Sequence, residues 1–138
     1  MHCFERAELH LEYSITEAYL FRQQARNVLH SSGEKARQEA FKNAAQAFFK
    51  CGQMSSISKE KYYHISAECF REAGEFGDAA LSYENAGEYA RSATCYAKAV
   101  MFDDALRIVD TTGKVGHDAT ERIIGAARLH YIHVGRLK

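Results

Sequence analysis

Between Ser66 and His117 the chain repeats itself every thirteen residues: SAECFREAGEFGD, AALSYENAGEYAR, SATCYAKAVMFDD, ALRIVDTTGKVGH. The second column holds Ala67, Ala80, Ala93 and Leu106; the fifth Phe70, Tyr83, Tyr96 and Val109; the eighth Ala73, Ala86, Ala99 and Thr112. Steps of three put these residues on one helical face, where the small ones let a neighbouring helix approach closely. The ninth column is Gly74, Gly87, Val100 and Gly113, and glycine there takes the left-handed conformation that ends a helix. Phe76, Tyr89, Phe102 or Val115 follows two residues later, and Asp78, Ser92 and Asp103 are the expected N-caps of the next helices. A helix of about 15 Å is too short to stand alone, so the repeat predicts neighbouring helices that share one core. Val100 breaks the glycine column, and there the expectation is a turn built differently or a helix that runs on toward Phe102.

The repeat extends weakly in both directions. AAQAFFKCGQM at 44–54 carries Ala45, Phe48, Cys51 and Gly52 at the same spacing, and AARLHYIHVGRL at 126–137 carries Tyr131, Val134, Gly135 and Leu137. Ser14 with Glu17 and Ser31 with Glu34 fit a capping box, and Ser58 is another candidate cap. Helices are expected at about 2–10, 14–30, 34–51, 59–73, 79–86, 92–99, 103–112 and 118–134. The predicted fold is all-α: a two-layer antiparallel helical-hairpin solenoid of about eight helices, forming one domain over 1–138 and reading as a fragment of something longer.

Composition agrees with this and narrows the function classes. The apolar fraction of 46% is that of a folded globular chain, and there is no proline to interrupt helices. Basic and acidic residues balance at 18 each, so no overall field draws the chain to nucleic acid or an anionic membrane. No apolar run approaches the roughly 20 residues of a membrane span. Cys3, Cys51, Cys69 and Cys95 form no CxxC pair, which favours a reduced, intracellular setting. Cys69 and Cys95 stand at equivalent repeat positions and read as small buried residues.

The columns resemble the tetratricopeptide-like α-solenoids: AALSYENAGEY, with Ala79, Tyr83 and Ala86, looks like the core of such a repeat's second helix. The resemblance covers about residues 44–115 and implies a scaffold for protein–protein interaction. It departs from the family in length, since two helices here take 26 residues instead of about 34, and the peptide-gripping residues of the family therefore have no counterpart to transfer. CFERAELHLEYSITEAYLFRQQAR followed by short hairpins also resembles the helical region beside superfamily-1, UvrD-like helicase domains in large fungal proteins, which implies an accessory domain of a larger ATPase.

Chemistry-bearing motifs are scarce. Neither SSGEKA nor TTGKVGHD has P-loop spacing. His130 and His133, and His2 beside Cys3, lack a second ligand pair. The cysteines fall on packing columns and not beside a base, so no enzyme activity, cofactor or metal is expected. Column seven, Glu72, Asn85, Lys98 and Thr111, is polar and different in every block, as an interaction surface would be, with Glu72 and Lys98 close enough to pair. Arg107, Lys114, Arg122, Arg128 and Arg136 make a basic C-terminal third, in which Tyr131 could stack on a base; this is the alternative, nucleic-acid reading. The expected partner is a protein or another part of the same polypeptide. Apolar ends, MHCF and LHYIHVG, predict self-association or docking there.

Overall fold

The computed structural model describes the backbone over residues 2–28 and 33–137 and side chains over 6–28 and 33–135. Among the described residues there are seven helices and no strand: α1 (His2–Arg26), α2 (Glu34–Met54), α3 (Lys59–Glu72), α4 (Phe76–Asn85), α5 (Tyr89–Lys98), α6 (Phe102–Thr112) and α7 (His117–Leu137). Each helix packs on its chain neighbour, and α7 lies against both α5 and α6. Arg37 at the start of α2 meets Glu72 at the end of α3, and Phe76 at the start of α4 meets Lys98 at the end of α5. These neighbours therefore run antiparallel.

Seven helices stand where eight were expected, because the first two are one. Ser14 does not cap; it is buried inside α1, and Leu11 and Glu12, both good helix formers, carry the helix through the expected break. Its companion Ser31 lies outside the described residues. Ser58 does occupy the N-cap of α3, although its hydroxyl makes no cap bond there.

The short helices begin one to three residues before their expected side-chain caps, since the backbone does the capping. Glu75 N–H donates back to the Phe70 carbonyl at 2.9 Å, while the Glu75 carbonyl accepts from Ala79 N–H at 2.9 Å. One residue thus closes α3 and opens α4. Glu88 repeats the joint between α4 and α5, bonding Tyr83 O and Ser92 N, and Met101 repeats it between α5 and α6, bonding Tyr96 O and Ala105 N. With a Schellman closure feeding directly into the next first turn, two helices fit in 26 residues. Asp78 and Asp103 fall inside the first turns of α4 and α6, where a carboxylate favours the helix dipole. Ser92 is fully buried in α5 and donates to Ala80 O at 2.7 Å, as Ser66 donates from α3 to Ala45 O at 2.7 Å. Each hydroxyl ties its helix to the one before it.

Val100 takes the glycine's part without being glycine. Gly74 and Gly87 have φ of 78° and 79°, and Val100 has φ of 61°. Its N–H bonds Ala97 O at 3.0 Å as in the other joints. The turn is the same one, and the helix does not run on. A β-branched residue in the left-handed region is strained; closing the joint and burying Phe102 hold it there. Val100→Gly is expected to raise stability by about 1 kcal/mol, the released strain being partly offset by a floppier unfolded chain. An unchanged or lowered urea midpoint contradicts this.

The core follows the columns. Ala67, Ala80 and Ala93 are fully buried, Phe70, Tyr83 and Tyr96 nearly or fully so, and Cys51, Cys69 and Cys95 are free buried thiols. Gly52 sits within α2, where a Cβ would come within 2.9 Å of the Tyr63 ring; it serves close approach, not a turn. In the last block Ala105 and Ile108 are buried, as the first- and fourth-column residues are in every block, while Leu106 and Val109 are only half covered. Of the eighth column, which falls at the helix ends, only Ala73 is buried, and Ala86, Ala99 and Thr112 are half covered. The weak C-terminal repeat is not a packing column: α7 passes through it, with Tyr131 and Val134 exposed.

Candidate functional site

Helices α1 and α3 both rest on α2 but make little contact with each other, and the gap between them is a cleft of about 340 Å³. Its walls are arginines. Arg22 and Arg26 come from the last turns of α1, Arg37 from the first turn of α2 and Arg71 from the end of α3. Phe41, Ile65 and Cys69 lie beneath them, and Glu68 and Glu72 complete the rim.

The charges sort into used and unused. Arg37 donates to Glu72 at 2.9 Å and lies over the Phe41 ring at 4.8 Å. Glu68 is held by His64, whose Nε2 is 2.8 Å from its Oε1 and whose Nδ1 meets Glu88. Among the described residues Arg22, Arg26 and Arg71 make no ion pair. Arg22 lies 5.0 Å from the Tyr19 ring centre and 5.6 Å from that of Phe48, which orients its guanidinium without neutralising it. Four arginines against two glutamates leave the cleft two positive charges in excess, within a chain whose total is zero. Burial pushes the Cys69 thiol up to about 11, outweighing the opposing pull of Arg22 and Arg26. The thiol is neutral and a poor nucleophile.

The column-seven residues are all exposed but do not form one surface. Glu72 and Lys98 end α3 and α5, whereas Asn85 and Thr111 lie near the ends of the oppositely directed α4 and α6. The expected Glu72–Lys98 pair is absent, because Arg37 takes Glu72 and Lys98 lies over the Phe76 ring at 5.6 Å. Thr111 bonds the Arg107 carbonyl within its own helix.

The C-terminal basic residues are likewise dispersed. Arg107 grips both oxygens of Glu84 at 3.1 Å, and Tyr96 donates to the same carboxylate. Lys114 lies over the Tyr89 ring. Arg122 faces the α5–α7 groove beside Ala97 and Lys98, while Arg128 borders the α6–α7 groove beside Leu106 and Ile132. The side chain of Arg136 lies outside the described residues. Tyr131 hydrogen-bonds Asp103 and packs beside Phe102. Among the described residues no group of three potential ligands is placed to hold a metal, and no helix is long and apolar enough to cross a membrane.

Both terminal helices carry apolar surface beyond the core. Leu9, Tyr13 and Leu20, 65%, 67% and 58% exposed, follow i, i+4, i+11 spacing along one face of α1, with Thr16 completing it. That face is opposite the one that buries Ala18 and Ala25. At the other end, α7 has 21 residues and spans about 31 Å, twice the reach of α5 or α6. Leu129 points away from its buried Ile123 and Ala127, and the half-exposed Ile132 borders the outer side of the α6–α7 groove.

Sequence reasoning did not single out the arginine cleft. The i, i+4 spacing of Arg22 and Arg26 was readable, but their meeting with Arg37 and Arg71 depends on how three helices pack. Comparison with known proteins finds no family model, no curated protein and no solved structure that matches the chain.

Proposed function

We propose that the chain is a non-catalytic scaffold for protein–protein interaction, a two-layer, tetratricopeptide-like solenoid segment whose ends stack on helices of the same kind. The observation that carries this is the pair of unpartnered apolar faces, Leu9–Tyr13–Leu20 on α1 and Leu129–Ile132 on α7. Grouped exposed apolar surface marks an interaction site, while scattered single residues do not; the α1 face runs over three turns and the α7 face over one. Repeat stacks need polar caps at their ends, and neither described face is one.

The occupant these faces fit best is a second copy, head to tail. The α1 stripe is flanked by Glu8, Glu12 and Glu17 against Arg6, whereas Leu129 and Ile132 on α7 are flanked by Arg128 and His133, with no carboxylate in residues 128–135. A net-acidic apolar face thus meets one that carries a cation and no carboxylate. Sedimentation equilibrium is expected to give an average mass that rises above 15.6 kDa with concentration. A strictly monomeric chain at high concentration contradicts the proposal.

The nucleic-acid alternative needs a basic surface, but Arg122 and Arg128 lie in different grooves of α7, Arg107 is paired with Glu84 and Lys114 lies over Tyr89. Salt-dependent binding of single-stranded RNA or DNA would favour it all the same.

A further inference from the structure

We propose that the cleft between α1, α2 and α3 binds a phosphate monoester carried on a side chain of a partner protein, a phosphoserine or phosphothreonine. This rests on the scaffold reading for the partner's class, while the anion chemistry follows from the cleft alone. The excess of two positive charges matches a group carrying about −1.5 to −2 and presenting three acceptor oxygens. The guanidinium forks of Arg22, Arg26 and Arg71 are three donors without a carboxylate partner among the described residues. Arginine engages such oxygens in pairs of parallel hydrogen bonds. A carboxylate or a phosphodiester carries a single charge and leaves one arginine uncompensated.

The neighbouring groups fit the same role. Glu72 and Glu68 line the rim, and there they are engaged by Arg37 and His64 and not by Arg22, Arg26 or Arg71. Arg22 is held over two rings, and less freedom is lost when it engages the anion. The volume, about 340 Å³, lies at the small end of ligand sites and suits one side chain better than an extended ligand. Phe41 and Ile65 offer the carbon stem of that side chain an apolar surface.

The test is a titration of the full chain, followed by NMR of the arginine Nε–H groups, with N-acetyl-O-phosphoserine amide, N-acetylglutamate amide, dimethyl phosphate and inorganic phosphate. Saturable shifts are expected at Arg22, Arg26 and Arg71 with the phosphoserine derivative, and binding at least about tenfold weaker with the glutamate derivative and the diester. Arg26→Gln and Arg71→Gln, both at exposed positions, should each weaken binding at least about tenfold, the loss of one charge-assisted guanidinium contact. Arg128→Gln should leave it unchanged. Shifts spread evenly over all arginines, equal binding of the glutamate derivative, or no saturation overturn the site. Inorganic phosphate binding as tightly as the phosphoserine derivative overturns the side-chain assignment. None of these readouts involves the end faces, so failure here leaves the scaffold reading standing, and a monomeric chain leaves the cleft standing.

Discussion

Tyr83→Ala is expected to lower the unfolding free energy by about 3–5 kcal/mol, the usual range for deleting a buried aromatic ring. Tyr83 is wholly buried at the centre of the repeat, in the fifth column, and its ring meets His64 of α3 edge-on while Arg91 of α5 lies over it. Small residues on either side have let the helices close around that ring, and they cannot refill its volume. For a domain whose total stability is about 5–15 kcal/mol, the loss is a large share of the whole. Tyr83→Phe separates ring from hydroxyl. The Tyr83 hydroxyl is buried and without a hydrogen-bond partner among the described residues, so removing it is expected to leave stability unchanged or to raise it by about 1 kcal/mol. Urea unfolding measures both. A Tyr83→Phe loss comparable to that of Tyr83→Ala would mean that the hydroxyl, and not the ring, holds the joint.

Alkali should unfold the protein through its buried acids. Burial pushes the Cys69 thiol from 9.0 to about 11, and burial together with Glu84 pushes the Tyr96 hydroxyl from 10.0 to about 12. Between about pH 9 and 11 the unfolded chain gives up the Cys69 proton while the folded chain keeps it. The unfolded state then binds fewer protons, so stability falls as pH rises; it is complete below pH 9 and lost through the folded value. Cys69 alone accounts for roughly 2 kcal/mol by pH 10.5, and Tyr96 adds to the fall from about pH 10 upward. Urea midpoints at about pH 8 and pH 10.5 measure the difference, and Cys69→Ala should make the fall smaller by the Cys69 share. A flat profile from pH 8 to 10.5 would mean that these groups are open to solvent.

What could be read from the sequence was what is local and periodic. Ala67, Ala80 and Ala93 announced close helix packing, Phe70, Tyr83 and Tyr96 announced the gap fillers, and the spacing of Cys69 and Cys95 announced buried thiols; all lie in the core. Features that depend on backbone closure escaped. Asp78, Ser92 and Asp103 looked like caps because short polar side chains usually cap helices, but Glu75, Glu88 and Met101 close and open the helices through their own N–H and carbonyl groups. No side-chain pattern records that. Val100 looked like a different turn because the left-handed region disfavours β-branched residues, yet the hydrogen bonds of the joint hold it in the same conformation. Ser14 looked like a helix start, and only its burial against the next helix shows that α1 passes through it. The arginine cleft joins residues 22 and 71, separated by two turns of the chain path, and becomes visible once α1 and α3 are laid on α2. The exposed stripe of α1 had a local signature, since Leu9, Tyr13 and Leu20 are one face, but a helix apolar on two sides conceals which side is covered.

The stacking of the chain on its own kind is tested most directly by mixing two variants in sedimentation equilibrium, Tyr13→Glu on the α1 face and Ile132→Glu on the α7 face. In a head-to-tail interface each variant has lost one of the two surfaces that must meet, so each alone should remain at the 15.6 kDa of the monomer. Mixed, the intact α7 face of the first can engage the intact α1 face of the second, and the mass should rise toward that of a dimer and stop there. A mixture that stays monomeric while the unaltered chain associates, or an Ile132→Glu chain that dimerises by itself, would contradict head-to-tail stacking through these two faces.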